Sequence, residues 1–358
     1  MTRAERFKTQ SIKWRRYMSK VIIGTGSDLP EWAITNDDLE RMVEDYDRER
    51  AGGISLNEWV MKRIGVRVRH RVRPGEGTSD MAIRASQRAL EDAGLTANDL
   101  DLIVLSTVTS DHRLPQSAAL LQKHLGCRCK FFQLEHACAG FVDAMIVASA
   151  LMDAHGYRTT LVASSEAGSV LLDPKRFMNQ SVFGDGAGAV ILQERDAPGY
   201  GLQATYTASD GSIAEWTYVP AGGTKIPITP EVMEKGLHYI VVDYKHVYPF
   251  AVEKLVESTR EVLKRAGVRL QEIDVFIPHQ TGRNIIMEAV RQMEIPEEKV
   301  FINLDHTGNT SGATIPIAID EANRSGWLKD GAKVVLSAIG AGMAWGALYL
   351  VWYDRRVH

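Results

Sequence analysis

Cysteine is scarce: the 358 residues include three, Cys127, Cys129 and Cys138. An odd, sparse set excludes a disulfide scaffold and argues for a reducing compartment, so a cytoplasmic setting is expected. Cys127 and Cys129 form an isolated C-x-C without the further ligands a metal site needs. The pair reads as structural, and no metal or other cofactor is expected. A surplus of charge of one sign is lacking too. Lys and Arg number 42 against 45 Asp and Glu, a net charge of −3, which excludes the strongly basic balance of a nucleic-acid binder. No apolar run reads as approaching the roughly 20 residues that span a bilayer, so no membrane partner is expected. What is present is 45% hydrophobic residue content, enough for a sizeable core. The length exceeds one usual domain, so two domains or one duplicated core is the prior.

Residues 1–17 carry Arg3, Arg6, Lys8, Lys13, Arg15 and Arg16 and lack the apolar centre of a secretory signal. Met18 stands directly before the first strand-like run. The segment reads as a disordered basic extension or as the product of an upstream start.

An internal repeat sets the architecture. RALEDAGLTANDLDLIV (88–104) and EVLKRAGVRLQEIDVFI (261–277) each read as an amphipathic helix, an Ala-Gly stop, an acidic turn and an apolar strand. Glycine after a helical pattern is the usual C-terminal stop. Leu90 pairs with Leu263, Gly94 with Gly267 and Asp101 with Asp274, each 173 residues apart. The same offset carries Cys138 onto Ser311, within the small-residue turns ACAGF and TSGAT. TTLVASSEAG (159–168) and KVVLSAIGAG (333–342) then read as buried strands ending in small residues, as in sheets covered on both faces. GAGAVIL and WGALYLV read as the next strands. One α/β half occurs twice, so the expected halves are 18–195 and 196–358, with a site at their seam.

Three blocks hold reactive side chains among small residues: LEHACAGF with Cys138, IPHQTGRN with His279 and HTGNTSGAT with Asn309. Taken singly, such a cysteine is more often a buried structural thiol, and such a histidine a satisfied one at a strand end. Together they suggest nucleophilic catalysis. A thiol at a helix start faces unpaired amides and the positive dipole end, which is expected to lower its pKa. GTGSDLP (24–30) and GDGAGA lack the strand–helix context and downstream acid of a dinucleotide fingerprint.

ACAGF, PHQ, GNTSGA, FGDGAGAVIL and GAGMAWGALYLV, in that order, resemble the 3-oxoacyl-acyl-carrier-protein synthase III family of thiolase-fold condensing enzymes. The resemblance covers nearly the whole chain after Met18. It implies a duplicated αβαβα sandwich, as a homodimer, whose partners are acyl-CoA and malonyl-acyl carrier protein. Cys138 would carry the acyl group, with an oxyanion hole from the N–H groups of Cys138 and Ala341. His279 and Asn309 would stabilise the enolate formed when the malonyl thioester loses CO2. Related enzymes that deprotonate acetyl-CoA use a second cysteine, and hydroxymethylglutaryl-CoA synthases a glutamate; asparagine at this place favours decarboxylation. The resemblance also places Trp59 and Arg63 on the CoA adenine and phosphates, and Arg283 and Arg291 towards the acidic carrier protein.

Four departures bear on the starter group. Residues 44–55 are longer than the usual connection, which points to an altered lid over the CoA tunnel. Glu135 and His136 replace small residues before the cysteine. Leu114 stands where relatives place a phenylalanine reaching the partner's acyl pocket, and Thr307 replaces a ring before the Gly-Asn pair. These leave the reaction type intact and favour a starter longer than acetyl. The alternatives are a specialised-metabolism acyltransferase forming C–C or C–O bonds, and a silent partner subunit, against which the intact Cys, His and Asn speak.

Overall fold

Apolar strands can be buried on both faces only if helices cover each face. The computed structural model describes residues 18–358; the basic segment 1–17 lies outside the described residues. The principal strands are β1 (Ser19–Asp28), β2 (Leu102–Ser106), β3 (Lys130–Leu134), β4 (Thr159–Glu166), β5 (Gly186–Arg195), β6 (Gly201–Ser209), β7 (Val275–Pro278), β8 (Lys333–Gly340) and β9 (Ala344–Val351). The principal helices are α1 (Thr78–Ala93), α2 (Ser117–Leu125), α3 (Gly140–His155), α4 (Tyr244–Ala266), α5 (Arg283–Met293) and α6 (Thr314–Arg324).

One sheet runs β1-β5-β4-β2-β3 and the other β7-β8-β9-β6. Both use the same directions: β2 lies parallel to β4, as β7 does to β8, and the two outer pairings, β4–β5–β1 and β8–β9–β6, are antiparallel. The counterpart of β3 shrinks in the second sheet to a single parallel bridge, Phe276 to Val300. Alternate residues of a strand face opposite ways. Val104 of β2 and Leu336 of β8 therefore meet α3 and α6 in a middle layer, packed with Phe141, Met145 and Ile319. Ile103 and Leu105 face α1 and α2, while Val335 and Phe276 face α4 and α5. The five layers are the expected αβαβα thiolase-like sandwich.

The duplication holds in detail. Gly94 and Gly267 both end their helices in the left-handed conformation, at φ 67° and 68°. The Asp101 carboxylate accepts from the Thr159 N–H at 3.0 Å, and that of Asp274 from the Lys333 N–H at 2.9 Å, so each acid clamps the start of the next strand. At the central turns the offset lengthens by one. The short 3₁₀ turns Ala137–Ala139 and Ser311–Ala313 begin 174 residues apart, each with a positive φ at its first residue, 44° at Ala137 and 53° at Ser311. The structural counterpart of Cys138 is therefore Gly312, not Ser311. The strand after each turn, β4 or β8, keeps the longer offset.

One reading of the sequence is corrected here. The helical stretch Ala137–His155, 19 residues, is long and apolar enough by length and composition to cross a membrane. In the fold it forms the middle layer, where Phe141, Val142, Met145, Ala148 and Met152 are fully buried between the sheets. A helix covered by two sheets needs apolar residues nearly all round.

Candidate active site

The site lies where the two halves meet. The Ala137–Ala139 turn leads into α3, and Ser311–Ala313 leads into α6. The turns interlock through glycine. A Cβ on Gly340, at the end of β8, would lie 2.7 Å from the Ala139 nitrogen and 2.9 Å from that of Cys138. A Cβ on Gly312 would lie 2.9 Å from the Ala137 carbonyl oxygen. The backbone of each half thus touches the turn of the other. Cys138, His279 and Asn309 all line one cavity of about 720 Å³, together with Ala341 and Ser311.

The Cys138 thiol donates to Ser311 Oγ at 3.4 Å. Its acidity departs from the sequence expectation. Burial pushes the thiol up to about 12, the Ser311 hydroxyl offsets part of this, and the neighbouring Glu166 adds a lesser push upward. The helix start still offers amides to an anion, and desolvation of the thiolate opposes it.

His279 sits just past the end of β7, its N–H bonded to the Ser337 carbonyl at 2.7 Å. It is 1% exposed, and burial pushes its imidazole down to about 3, so it is neutral at physiological pH. Asn309 is held by its backbone, which donates to Val182 O and accepts from Gly184 N–H. The start of the FGDGAGAVIL run therefore positions this side chain. Asn309 Oδ1 accepts from the Ser311 N–H at 2.8 Å. With its oxygen engaged, the amide NH₂ is the part left for a substrate.

Sequence reasoning missed Glu166. This carboxyl, 1% exposed, lines the same cavity and accepts from Thr109 Oγ1 at 2.8 Å and from the Val108 N–H at 3.2 Å. Burial raises its pKa to about 8. The signal was available: in the repeat Glu166 stands opposite Gly340, a charged residue where its counterpart is glycine. Thr314 and the tyrosines Tyr244 and Tyr248 of α4 were also missed; both tyrosines line the cavity. Their helix reads as ordinary amphipathic sequence, which carries no such signal.

The other singled-out residues are scattered. Trp59, on the helix Leu56–Arg63, is not part of the cavity wall; it packs edge-on against Phe177 at 5.3 Å. Residues 44–55 do not line the cavity either. They dock on the 173–177 segment, through Glu44 N–H to Lys175 O, and Tyr46 also packs edge-on against Phe177. These contacts brace residues 44–55 against the 173–177 segment. Glu135 and His136 stand outside the cavity wall, His136 being turned to Asp143 at 2.5 Å. Thr307 is buried, with its hydroxyl bonded to Asn303 O. Leu114 is 85% exposed, away from the cavity of its own chain. Arg63 and Arg283 share one corner, since Arg283 N–H donates to Ile64 O at 2.7 Å. Thr281 and Ile285, on either side of Arg283, line the cavity, which puts that corner at its rim. Arg291 is instead tied to Glu288 of its own helix at 2.6 Å. Cys127 and Cys129 sit 3.4 Å apart, remote from these groups in the α2–β3 connection. Among the described residues no cluster of three or more His, Cys, Asp or Glu is placed to hold a metal ion.

Comparison with known proteins identifies the family. Residues 132–211 match the family described as 3-oxoacyl-[acyl-carrier-protein (ACP)] synthase III, and residues 263–352 match its C-terminal family. The beta-ketoacyl-[acyl-carrier-protein] synthase III of Caldanaerobacter subterraneus subsp. tengcongensis is 39% identical over 332 residues, 92% of this chain and 97% of that one. The crystal structure of the 3-oxoacyl-[acyl-carrier-protein] synthase III from Aquifex aeolicus superposes with a TM-score of 0.83 at 34% identity, covering 93% of this chain and 100% of that chain. The priming β-ketosynthase of a polyketide biosynthetic pathway reaches 0.84 at 29% identity, covering 94% and 97%. With a duplicated sandwich, a cysteine, histidine and asparagine on one cavity, and relatives spanning the whole fold, the chain belongs to the 3-oxoacyl-[acyl-carrier-protein] synthase III family.

Proposed function

We propose that this protein joins an acyl group, taken from acyl-CoA onto Cys138, to the carbanion left when malonyl-acyl carrier protein loses CO2. The product is a 3-oxoacyl thioester that starts a fatty-acid or related acyl chain. The observation that carries this reading is the convergence of Cys138, His279 and Asn309 on one cavity at the seam. Cys138 sulfur attacks the thioester carbonyl, and CoA leaves as its thiol. The N–H groups of Cys138 and Ala341 hold the oxyanion. Loss of CO2 generates the carbon nucleophile without a strong base, so the chemistry asks for no metal. Neutral His279 and the Asn309 amide donate to the developing enolate, which then attacks the acyl group and frees Cys138. Arg63 and Arg283 suit the phosphates of CoA or the acidic carrier at the cavity rim. A second copy of the chain suits the open edge of β3, where Phe132 is 42% exposed, and would bury Leu114. The reaction is that of a cytoplasmic enzyme.

Aliphatic wall residues Val170, Leu171, Leu172, Ile228, Ile240 and Val242 favour a starter longer than acetyl. Each buried methylene contributes about 0.8 kcal/mol until the space is full. The test is intact-mass detection of acyl-Cys138 with acetyl-, butyryl-, hexanoyl- and octanoyl-CoA, followed by kcat/KM for condensation with malonyl-acyl carrier protein. A maximum at hexanoyl or octanoyl is expected. A maximum at acetyl would return the protein to the ordinary initiating role, and no acyl-enzyme with any chain would remove the condensing function.

A further inference from the structure

His279 is neutral in this site, so its ring carries one N–H and can donate from one nitrogen only. Nδ1 lies 2.6 Å from the hydroxyl oxygen of Thr314, on the first turn of α6. Among the described residues Nε2 has no hydrogen-bond partner, and the ring lines the cavity. Whether Nε2 is a donor or a bare lone pair therefore depends on which way the single Thr314 hydrogen points. It has two acceptors in reach, His279 Nδ1 at 2.6 Å and the Ser311 carbonyl at 3.1 Å.

Three observations decide between them. A contact of 2.6 Å is shorter than the about 2.7–3.2 Å of N–H···O bonds but suits a hydroxyl donor. A contact of 3.1 Å is longer than the about 2.5–3.0 Å usual for O–H···O. The Ser311 carbonyl also has another donor, the Thr314 backbone N–H, whereas Nδ1 has Thr314 alone. We propose that the Thr314 hydroxyl donates to His279 Nδ1 and thereby fixes the ring as the Nε2–H tautomer, making Thr314 the positioning residue for the enolate-binding histidine.

The assignment rests on the condensing function proposed above and adds a division of labour to it. With its hydrogen on Nε2, His279 cannot take the Cys138 proton, so it serves condensation rather than acylation. Thr314 never touches substrate. It acts through the ring, as carboxylates and carbonyls do behind metal-bound histidines, where loss of the orienting partner typically costs about 10–100-fold.

The test compares Thr314→Val, which keeps the shape and removes the hydroxyl, with Thr314→Ser, which keeps it. In Thr314→Val, acylation of Cys138 by acyl-CoA, read by intact mass, should stay within about threefold of wild type. Condensation with malonyl-acyl carrier protein should fall about 10–100-fold. Thr314→Ser should restore condensation to within about threefold. Nitrogen-15 NMR of histidine-labelled wild type, with the His279 signals identified by their loss in His279→Gln, should show Nε2 protonated and Nδ1 bare. In Thr314→Val the Nδ1–H form should grow. A wild-type spectrum with Nδ1 protonated would overturn the assignment, as would wild-type condensation in Thr314→Val or equal loss of acylation and condensation in it. Absence of condensation in the wild type would instead fail the proposed function, and the NMR spectrum would still decide the tautomer.

Discussion

The Ala137–Ala139 and Ser311–Ala313 turns share a backbone and differ in chemistry. Each is a 3₁₀ turn with a strained first residue, feeding a central helix of the same layer. The first carries a thiol on its second residue. The second has glycine there, so that the first turn can approach it closely. Its neighbours Asn309, Ser311 and Thr314 turn the freed space into a hydrogen-bonding face. Glu166 and Gly340 show the same asymmetry at the strand ends, a buried carboxyl in one half and an open backbone in the other. Duplication supplies two equivalent helix starts, and divergence gives the thiol to one and the polar groups to the other.

The largest effect should come from removing the chemistry of the first turn. Cys138→Ala should abolish the acyl mass shift and all condensation, while malonyl decarboxylation survives on the intact second turn. An acyl adduct persisting in this variant would mean that the first turn is not where the acyl group is held.

Removing the polar face should split the reaction differently. His279→Ala or Asn309→Ala should still accept acyl groups on Cys138, with condensation reduced about 10²–10³-fold, the usual loss for one donor aimed at a developing oxyanion. If either variant loses acylation to the same extent, the two turns do not divide the steps.

A third measurement sharpens the comparison through pH. An ordinary thiol, with pKa near 8.5, reaches its limiting alkylation rate by about pH 9.5. Burial holds the Cys138 thiol up at about 12, so its thiolate fraction should still climb roughly tenfold per unit across pH 7–10. Ser311→Ala should slow the reaction a few-fold further, because Ser311 favours the thiolate. Iodoacetamide labelling followed by mass spectrometry reads both, and a plateau near pH 8 would show that the helix start outweighs burial.

The layered fold was legible because its signals are periodic and repeated. Helix stops at Gly94 and Gly267, strand clamps at Asp101 and Asp274, and the two buried strands β4 and β8 all stand at nearly constant offset. The one-residue slip at the turns was not legible, since a loop can gain a residue without disturbing either flanking pattern. Cys138, His279 and Asn309 could be read together because ACAGF, PHQ and GNTSGA stand in the order of one family's motifs; singly, each reads as a structural residue. Glu166 and Thr314 could not be read as easily: their importance depends on burial and on a single directed hydrogen, which spacing does not encode. The acidity of Cys138 was harder to read, because burial in the cavity opposes the helix start and spacing does not show the cavity.

The smallest expected effect lies at the rim, where two arginines of the same helix differ. Arg283, at the first position of α5, has no ion-pair partner among the described residues and stands beside Arg63 at the cavity mouth. Arg291, two turns on, is already neutralised by Glu288. Reversing Arg283 to Glu therefore removes an unpaired charge at that corner. Reversing Arg291 to Glu puts a second carboxylate beside Glu288 but takes away little attraction. Arg283→Glu should raise KM for malonyl-acyl carrier protein several-fold, and Arg291→Glu less than twofold, with acylation of Cys138 by acyl-CoA changed least in the second variant. Exposed charges are screened beyond about 8–10 Å at moderate salt, so the difference between the variants should shrink as ionic strength rises. Equal effects for the two arginines, or an Arg283 effect indifferent to salt, would show that docking does not follow the free charge at this corner.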